Sequence, residues 1–303
     1  MSSDYLLSIV ILTMNRKEQV IEALDSCIAS ELPENTQFVI VDNHSTDGTG
    51  DAIRAYIDTH PQYSFQYEYE NENLGVGGGR ARGFDLAKGK YLYFLDDDAV
   101  IAEECGDIFF AKPIEFLDKN KNIASVTTQI KDIAFQGNRN DSQSKYKIDG
   151  KSLTFKYLGG SHFLRKSAFE SPLYFPIQYG SEEFAPSIIT HDKGFYHVYF
   201  DDIYIIHKPK VNKWIDGTAN MEYVLCCGTA VAHATKLILY PNLFRPILNL
   251  AHHRRCKMYL EKYNGAIQKC NDMVKEIVKN NPHKKIRVST VMKMYKRFGL
   301  TVF

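Results

Sequence analysis

The first hundred residues constrain the fold more than any other part of the chain, because four short apolar runs alternate there with segments of helical periodicity. Leu6 to Leu12 is a nearly continuous run rich in Ile and Val, the pattern of a strand buried on both faces. Arg16 to Ala29 follows, with Val20, Ile21, Leu24, Cys27 and Ile28 at helical spacing. The unit then repeats: Phe38 to Val41 reads as a second strand, Asp47 to Ile57 as a second helix, Phe65 to Tyr69 as a third strand, Gly78 to Ala87 as a third helix and Tyr91 to Leu95 as a fourth strand. This alternation predicts an α/β fold with a mostly parallel, Rossmann-like sheet and helices on both faces. In such sheets ligands bind just beyond the carboxyl ends of the strands. The residues at those places are Thr13 to Arg16, Asp42 to Ser45 and Asp96 to Asp98.

After Asp98 the pattern loosens. It runs through Ile123 to Ile130 into a polar stretch, Gln136 to Ser144, expected to form a mobile loop, and strand-like runs return at Ser152 to Leu158 and His197 to Ile206. From about Asn220 the chain reads as helices joined at Pro241, Pro246 and Pro282. There is no internal repeat and no low-complexity segment.

Bulk properties narrow the class. With 44% hydrophobic and 24% charged residues, the composition is that of an ordinary globular protein. The six cysteines form no C-x-x-C pair and no charged-then-apolar leader precedes Ser8, so a reduced, cytosolic protein is expected. The longest apolar stretch, Val224 to Leu250, is broken by His233, Lys236, Asn242 and Arg245, so no membrane span is expected. The net charge of +1 hides an uneven distribution. From Lys236 to Phe303 there are 15 Lys or Arg against Glu261, Asp272 and Glu276, hence 15 − 3 = +12. A basic segment with interleaved apolar residues, such as Leu243 to Leu248, is suited to an anionic membrane surface, although a solvated helical face has the same composition. No nucleic-acid-binding motif accompanies the charge, so no nucleic-acid partner is expected.

Three consecutive aspartates directly after a buried strand repel one another and need a neutralising partner. A divalent cation supplies it, since Mn²⁺ and Mg²⁺ favour oxygen ligands and commonly bind one or two carboxylates together with substrate phosphates. A solvated acidic turn is the simpler alternative, disfavoured by the placement after Leu95. Val41 to Thr49 offers acceptors and donors at short spacing, equally readable as an Asx turn with Thr46 or Asp47 capping the next helix. Asn73-Leu74-Gly75-Val76-Gly77-Gly78-Gly79-Arg80 is not a dinucleotide fingerprint, because the sixth position counted from Gly75 is Arg80 and the segment follows the third strand. It reads as a flexible turn opening a helix, with free amides and arginines turned towards an anion.

Together with Ile9 to Arg16, these segments resemble glycosyltransferase family 2 in order and spacing. The resemblance implies a GT-A fold and an inverting, metal-dependent transfer of a sugar from a nucleotide diphosphate donor, UDP being the expected nucleotide. It implies a donor-binding set of Thr13, Asn15, Arg16, Asp42, Asn73, Gly75, Arg80, Asp96 and Asp97. Thr13 and Asp42 would contact the base, Asp96 would lie near the ribose, and Asp97 has no separate chemical role. Asp98, with Asp96 and His207, would hold Mn²⁺ or Mg²⁺. Gly159, Gly160 and Ser161 resemble the family's acceptor-side segment. In Tyr179 to Glu183, Glu183, or else Glu182, would be the general base. Glu183 stands where the family usually has Asp, and Ala81 and Ala185 also depart from its pattern.

The implied organisation is a catalytic domain over 1–215, with a nucleotide-binding half to about residue 98 and an acceptor half after it, then a helical extension over 216–303. The implied acceptor is a glycan or lipid-linked glycan of the cell surface, handled in the cytoplasm or on the inner face of the plasma membrane. Two alternatives stay open: a nucleotidyltransferase, and a catalytically silent module that binds sugar nucleotides or glycans.

Overall fold

The computed structural model describes residues 5–133, 137–139, 143–209 and 218–303. The predicted strand–helix alternation opens the fold as β1 (Tyr5–Thr13), α1 (Lys17–Ile28), β2 (Thr36–Asp42), α2 (Thr49–Thr59), β3 (Ser64–Tyr69), α3 (Gly75–Leu86) and β4 (Gly89–Asp96). These four strands pair in parallel in the order β3-β2-β1-β4. Alternate residues of β1 feed two separate cores. Leu7, Ile9 and Ile11 pack with Val20, Leu24 and Cys27 of α1, while Val10 packs with Phe84 on the other face. A strand buried on both faces needs no polar alternation, which is why its sequence is continuously apolar.

Helix α3 begins at Gly75, three residues earlier than the sequence pattern placed it, and the glycine-rich stretch is helical instead of a flexible turn. Glycine is a poor helix former, but here closeness of approach decides. A Cβ on Gly79 would come within 2.4 Å of Leu12, and one on Gly83 within 2.4 Å of Val10. Helix and sheet touch through bare backbone. The first amides are also engaged: Val76 and Gly77 donate to the carbonyls of Gln178 and Ile177, and Gly75 donates to Asn73. The expected free amides at this helix start are therefore not available.

The second half is mixed. It contains β5 (Ala99–Ile101), α4 (Ala111–Lys119), β6 (Ile123–Asp132), β7 (Gly137–Arg139), β8 (Gln143–Ile148), β9 (Lys151–Thr154), β10 (Ser161–Arg165), α5 (Phe184–Asp192) and β11 (Tyr196–His207). β10 enters the sheet beside β4 but antiparallel to it, and β6 and β11 follow, parallel to each other. The polar stretch expected as a loop contributes β7 and the start of β8, with 134–136 and 140–142 outside the described residues.

Helices α6 (Thr218–Leu239), α7 (Arg245–Leu260), α8 (Ala266–Asn280) and α9 (Val288–Phe298) complete the chain. Pro246 lies in the first turn of α7, where its missing N–H costs nothing, and does not join two helices. The break that the prolines did not reveal is at Gly265, whose φ of 73° starts α8. The expected boundary near residue 215 lies outside the described residues. The extension is not a loose appendage. Asp192 at the end of α5 accepts from the Arg287 amide at 3.1 Å and from the Thr290 hydroxyl, tying down the start of α9.

Candidate active site

Sheet topology brings the predicted residues to one edge. β4 ends at Asp96, and β11 ends at His207, opposite Ala99 of β5. The Lys208 amide donates to the Asp98 carbonyl at 2.7 Å, fixing the turn after β4 against the end of β11. Because β10 runs against β4, its amino end also lies at this edge, and the Asp96 amide donates to the Gly160 carbonyl at 3.1 Å.

Here Asp96, Asp98 and His207 place one oxygen or nitrogen each within 4.8 Å of one another. His207 Nε2 lies 3.2 Å from Asp98, and Nδ1 lies 2.9 Å from Asp132. A carboxylate on the far nitrogen of an imidazole sets its tautomer and aims the near nitrogen at a cation. Asp132 was not foreseen from the sequence. It ends β6 as Asp96 ends β4, and it lies directly opposite His207 in the ladder. Two carboxylate oxygens and an oriented imidazole fit Mn²⁺ or Mg²⁺ chemistry.

The surrounding charges also leave room for a cation. Five carboxyl groups, of Asp96, Asp97, Asp98, Glu182 and Glu183, meet the two guanidinium groups of Arg16 and Arg80, and a sixth, of Asp132, bonds His207. Arg16 bonds both Asp97 and Asp98. Burial pushes the Asp97 carboxyl up to about 7, against the pull of Arg16. Burial works the same way on Asp98, but the His207 and Arg16 contacts prevail and hold it down near 2. Of these two neighbours Asp98 is thus the one kept ionised, while Asp97 also accepts the Thr13 hydroxyl at 2.8 Å.

Across the cavity, α5 presents Glu182 and Glu183 at its start, where the helix dipole favours negative charge. Arg80, buried on α3, bridges the two carboxylate groups by bonding Asp96 on one side and Glu182 on the other. Glu183 stands 3.8 Å from the same guanidinium. Burial opposes the charge of Arg80, but Asp96 and Glu182 more than offset it. Burial and the neighbouring Glu183 raise Glu182 to about 7. Gly159 makes this packing possible, since a Cβ there would lie 2.2 Å from Glu183 Oε1 and 2.7 Å from Arg80. Gly159→Ala is expected to lower the melting temperature, with a cost of about 1–3 kcal/mol for overpacking, and to reduce turnover at least tenfold. Thermal unfolding and steady-state kinetics measure the two effects, and unchanged turnover would refute the close fit.

These residues line a cavity of about 370 Å³, with Gly159, Gly160, Glu182, Glu183, Asp96 and His207 on its walls. A second chamber of about 320 Å³ adjoins it, sharing Leu12, Arg16, Val76, Asp97 and Tyr179. Thr13, Asn73 and Gly75 line the second chamber together with Asn43. Asn43 donates to Asn73 and accepts from the Leu74 amide, each at 2.9 Å, so it holds the wall of that chamber. Asp42, Asn15 and Ser161 are outside the lining of both chambers. Asp42 is fully buried, accepts from the Ser45 amide in an Asx turn and from Tyr67, and lines neither chamber. Asn15, at φ 54°, bonds Ser45 and Thr46 and joins the loops after β1 and β2. Ser161 bonds Tyr93 and Thr128 inside the sheet.

Residues 8–173, more than half of the chain, match the sequence family described as Glycosyl transferase family 2. The chain belongs to glycosyltransferase family 2. No curated protein matches it at a significant level. Among solved structures it is similar to a mannosyltransferase of Pyrobaculum calidifontis in complex with GDP-Man and Mn²⁺, at 17% identity and a TM-score of 0.58, over 96% of this chain and 79% of that one. It is also similar to S. aureus TarS 1-349 in complex with UDP-GlcNAc, at 13% identity and TM-score 0.56, over 90% of this chain and 89% of that one. A third neighbour is GalNAc-T7 with UDP, GalNAc and Mn²⁺, at 12% identity and TM-score 0.60, over 89% of this chain and 54% of that one. At these identities the neighbours establish the fold, which is GT-A. As a family 2 member the protein is a glycosyltransferase. Among the described residues, no helix is long and apolar enough to cross a membrane.

Proposed function

We propose that this family 2 enzyme transfers a sugar from a nucleoside diphosphate donor, with UDP as the nucleotide, to an acceptor hydroxyl of a cell-surface glycan, inverting the anomeric centre. The observation that carries the reading is the pair of carboxylate groups facing one cavity, Asp96, Asp98 and His207 on one side and Glu182 and Glu183 on the other. Asp98, Asp96 and His207 would hold Mn²⁺ or Mg²⁺, which when bound stabilises negative charge developing on the departing diphosphate. Thr13, Asn73 and Gly75 bind the nucleotide in the second chamber, with Asp42 and Asn15 shaping its loops from behind. Arg80 holds Asp96 and Glu182 apart at fixed places and keeps Glu183 directed towards the sugar. Glu183 takes the proton from the acceptor hydroxyl as its oxygen attacks the anomeric carbon. Attack from the side opposite the leaving group gives inversion.

Incubation with UDP-sugars and Mn²⁺ tests this. Released UDP, and a product of inverted anomeric configuration by NMR, are expected. Released pyrophosphate would mark a nucleotidyltransferase instead, and no turnover of any nucleotide sugar would mark a binding module.

We further propose that the enzyme works in the cytoplasm at an anionic membrane surface, on a lipid-linked acceptor. In its support, Leu250, Arg254, Lys257 and Met258 form one exposed stripe of α7, with Leu250 50% and Met258 71% exposed. Arg254→Glu with Lys257→Glu should weaken co-sedimentation with anionic vesicles at least tenfold, at about 1 kcal/mol per basic residue. Equal sedimentation of wild type and variant would rule this surface out.

A further inference from the structure

A second cluster of ligand-type side chains lies in the helical extension, away from the sugar-transfer cavity. His252 and Cys256 stand four residues apart on α7 and so project from one side of the helix, while Cys270 meets them from α8. All three are buried, and a ring nitrogen of His252 and the two sulfurs lie within 4.8 Å of one another. His252 Nε2 donates to Asn271 Oδ1 at 2.9 Å and lies 3.5 Å from the Cys256 sulfur, while Nδ1 keeps its lone pair and lies 3.8 Å from the same sulfur. An oxygen acceptor on one ring nitrogen fixes the tautomer and leaves the lone pair on the other, as Asp132 does for His207 at the catalytic edge. Cys226 of α6 packs in the same cluster as Cys256 and Cys270, with its sulfur turned to the Ala266 carbonyl at 3.4 Å.

Buried thiols alone behave as small apolar side chains and would need no explanation. An imidazole among them does, because burial favours its uncharged form and strips its water. We propose that His252, Cys256 and Cys270 bind one divalent cation of the zinc class that ties α7 to α8, and that Cys226 of α6 completes it by turning its sulfur away from the Ala266 carbonyl. Nitrogen and sulfur donors suit zinc, unlike the mainly oxygen donors at Asp96 and Asp98. With Cys226 turned in as the fourth ligand the site is closed and structural. On binding, the three thiols each lose one proton to solvent and the imidazole binds uncharged, so occupancy falls as the pH is lowered.

The test uses the full-length chain purified from zinc-supplemented culture and freed of loose metal. Elemental analysis should find one zinc per chain, retained in Asp98→Ala and lost in the double variant Cys256→Ser, Cys270→Ser. Cobalt added to metal-free wild type should produce thiolate-to-cobalt charge-transfer absorption, which the sulfur-free catalytic site cannot give. That reading needs no variant and decides the matter if the double variant does not fold. Wild type without zinc and without the cobalt band, full zinc in the double variant, or a chain lighter by two hydrogens from a Cys256–Cys270 disulfide would each overturn the proposal.

Discussion

Asp98→Ala is expected to lower sugar transfer by about three orders of magnitude and to make the remaining rate indifferent to Mn²⁺. A Lewis-acid contact to the leaving group contributes several kcal/mol, and each 1.36 kcal/mol is tenfold in rate. The structure gives Asp98 this weight because Arg16 and His207 keep it ionised while Asp97 is pushed towards its neutral form. Wild type in chelator should fall to the variant's rate, and a variant within threefold of wild type would remove Asp98 from the metal site. Stability supplies a control with a definite sign. A carboxyl held near 2, below its ordinary 3.8, contributes stability that is complete above pH 3.8 and lost as the pH falls through 2. Metal-free Asp98→Ala should therefore have a flatter acid-unfolding profile than metal-free wild type, with the same fold by circular dichroism.

Glu183→Gln is expected to cost about 10²–10⁴ in turnover, the range for a lost general base, with little change in donor affinity. Glutamine keeps the size of the side chain beside Gly159 but cannot take a proton. Glu182→Gln should do less to the chemistry, because Glu182 is engaged with Arg80 and burial already favours its protonated form. Should Glu182→Gln be the silent enzyme and Glu183→Gln the active one, the two exchange roles. Kinetics with saturating donor, alongside donor binding by calorimetry, separate loss of the base from loss of binding.

The strand–helix alternation was legible because a doubly buried strand has few ways to look other than apolar, and the polar residues after it stand out. Asp96 to Asp98 and His207 could be found that way. Asp132 could not, because its partnership with His207 comes from the register between β6 and β11, and register leaves no local pattern. The same holds for Arg80 and Glu182, which are 102 residues apart. Gly75 to Gly77 read as a turn because the helix propensity of glycine is low, and only the nearness of the Phe175 and Gln178 backbone explains them. Asp42 marked the right strand end, but its side chain serves an Asx turn there, a use that local spacing permits equally well.

The reversed direction of β10 bears on how such an enzyme can acquire new substrates. In an all-parallel sheet the neighbour of β4 would meet this edge with its own carboxyl end, followed by another helix. Here the segment before β10 arrives at the edge from outside, and Gly159 and Gly160 lie beside Asp96 before the strand begins. The loops that follow β1 and β4 and those that precede β10 and α5 are thus separate stretches of chain sharing one wall. Insertions or exchanges just before β10 leave the first four strands untouched, since the later residues that wall the second chamber, Gln178, Tyr179 and Tyr223, lie further along the chain. On the function proposed above, recipient preference can drift, or be engineered, at Gly159 and Gly160 while the residues after β1 and β4 that take the activated sugar are inherited unchanged.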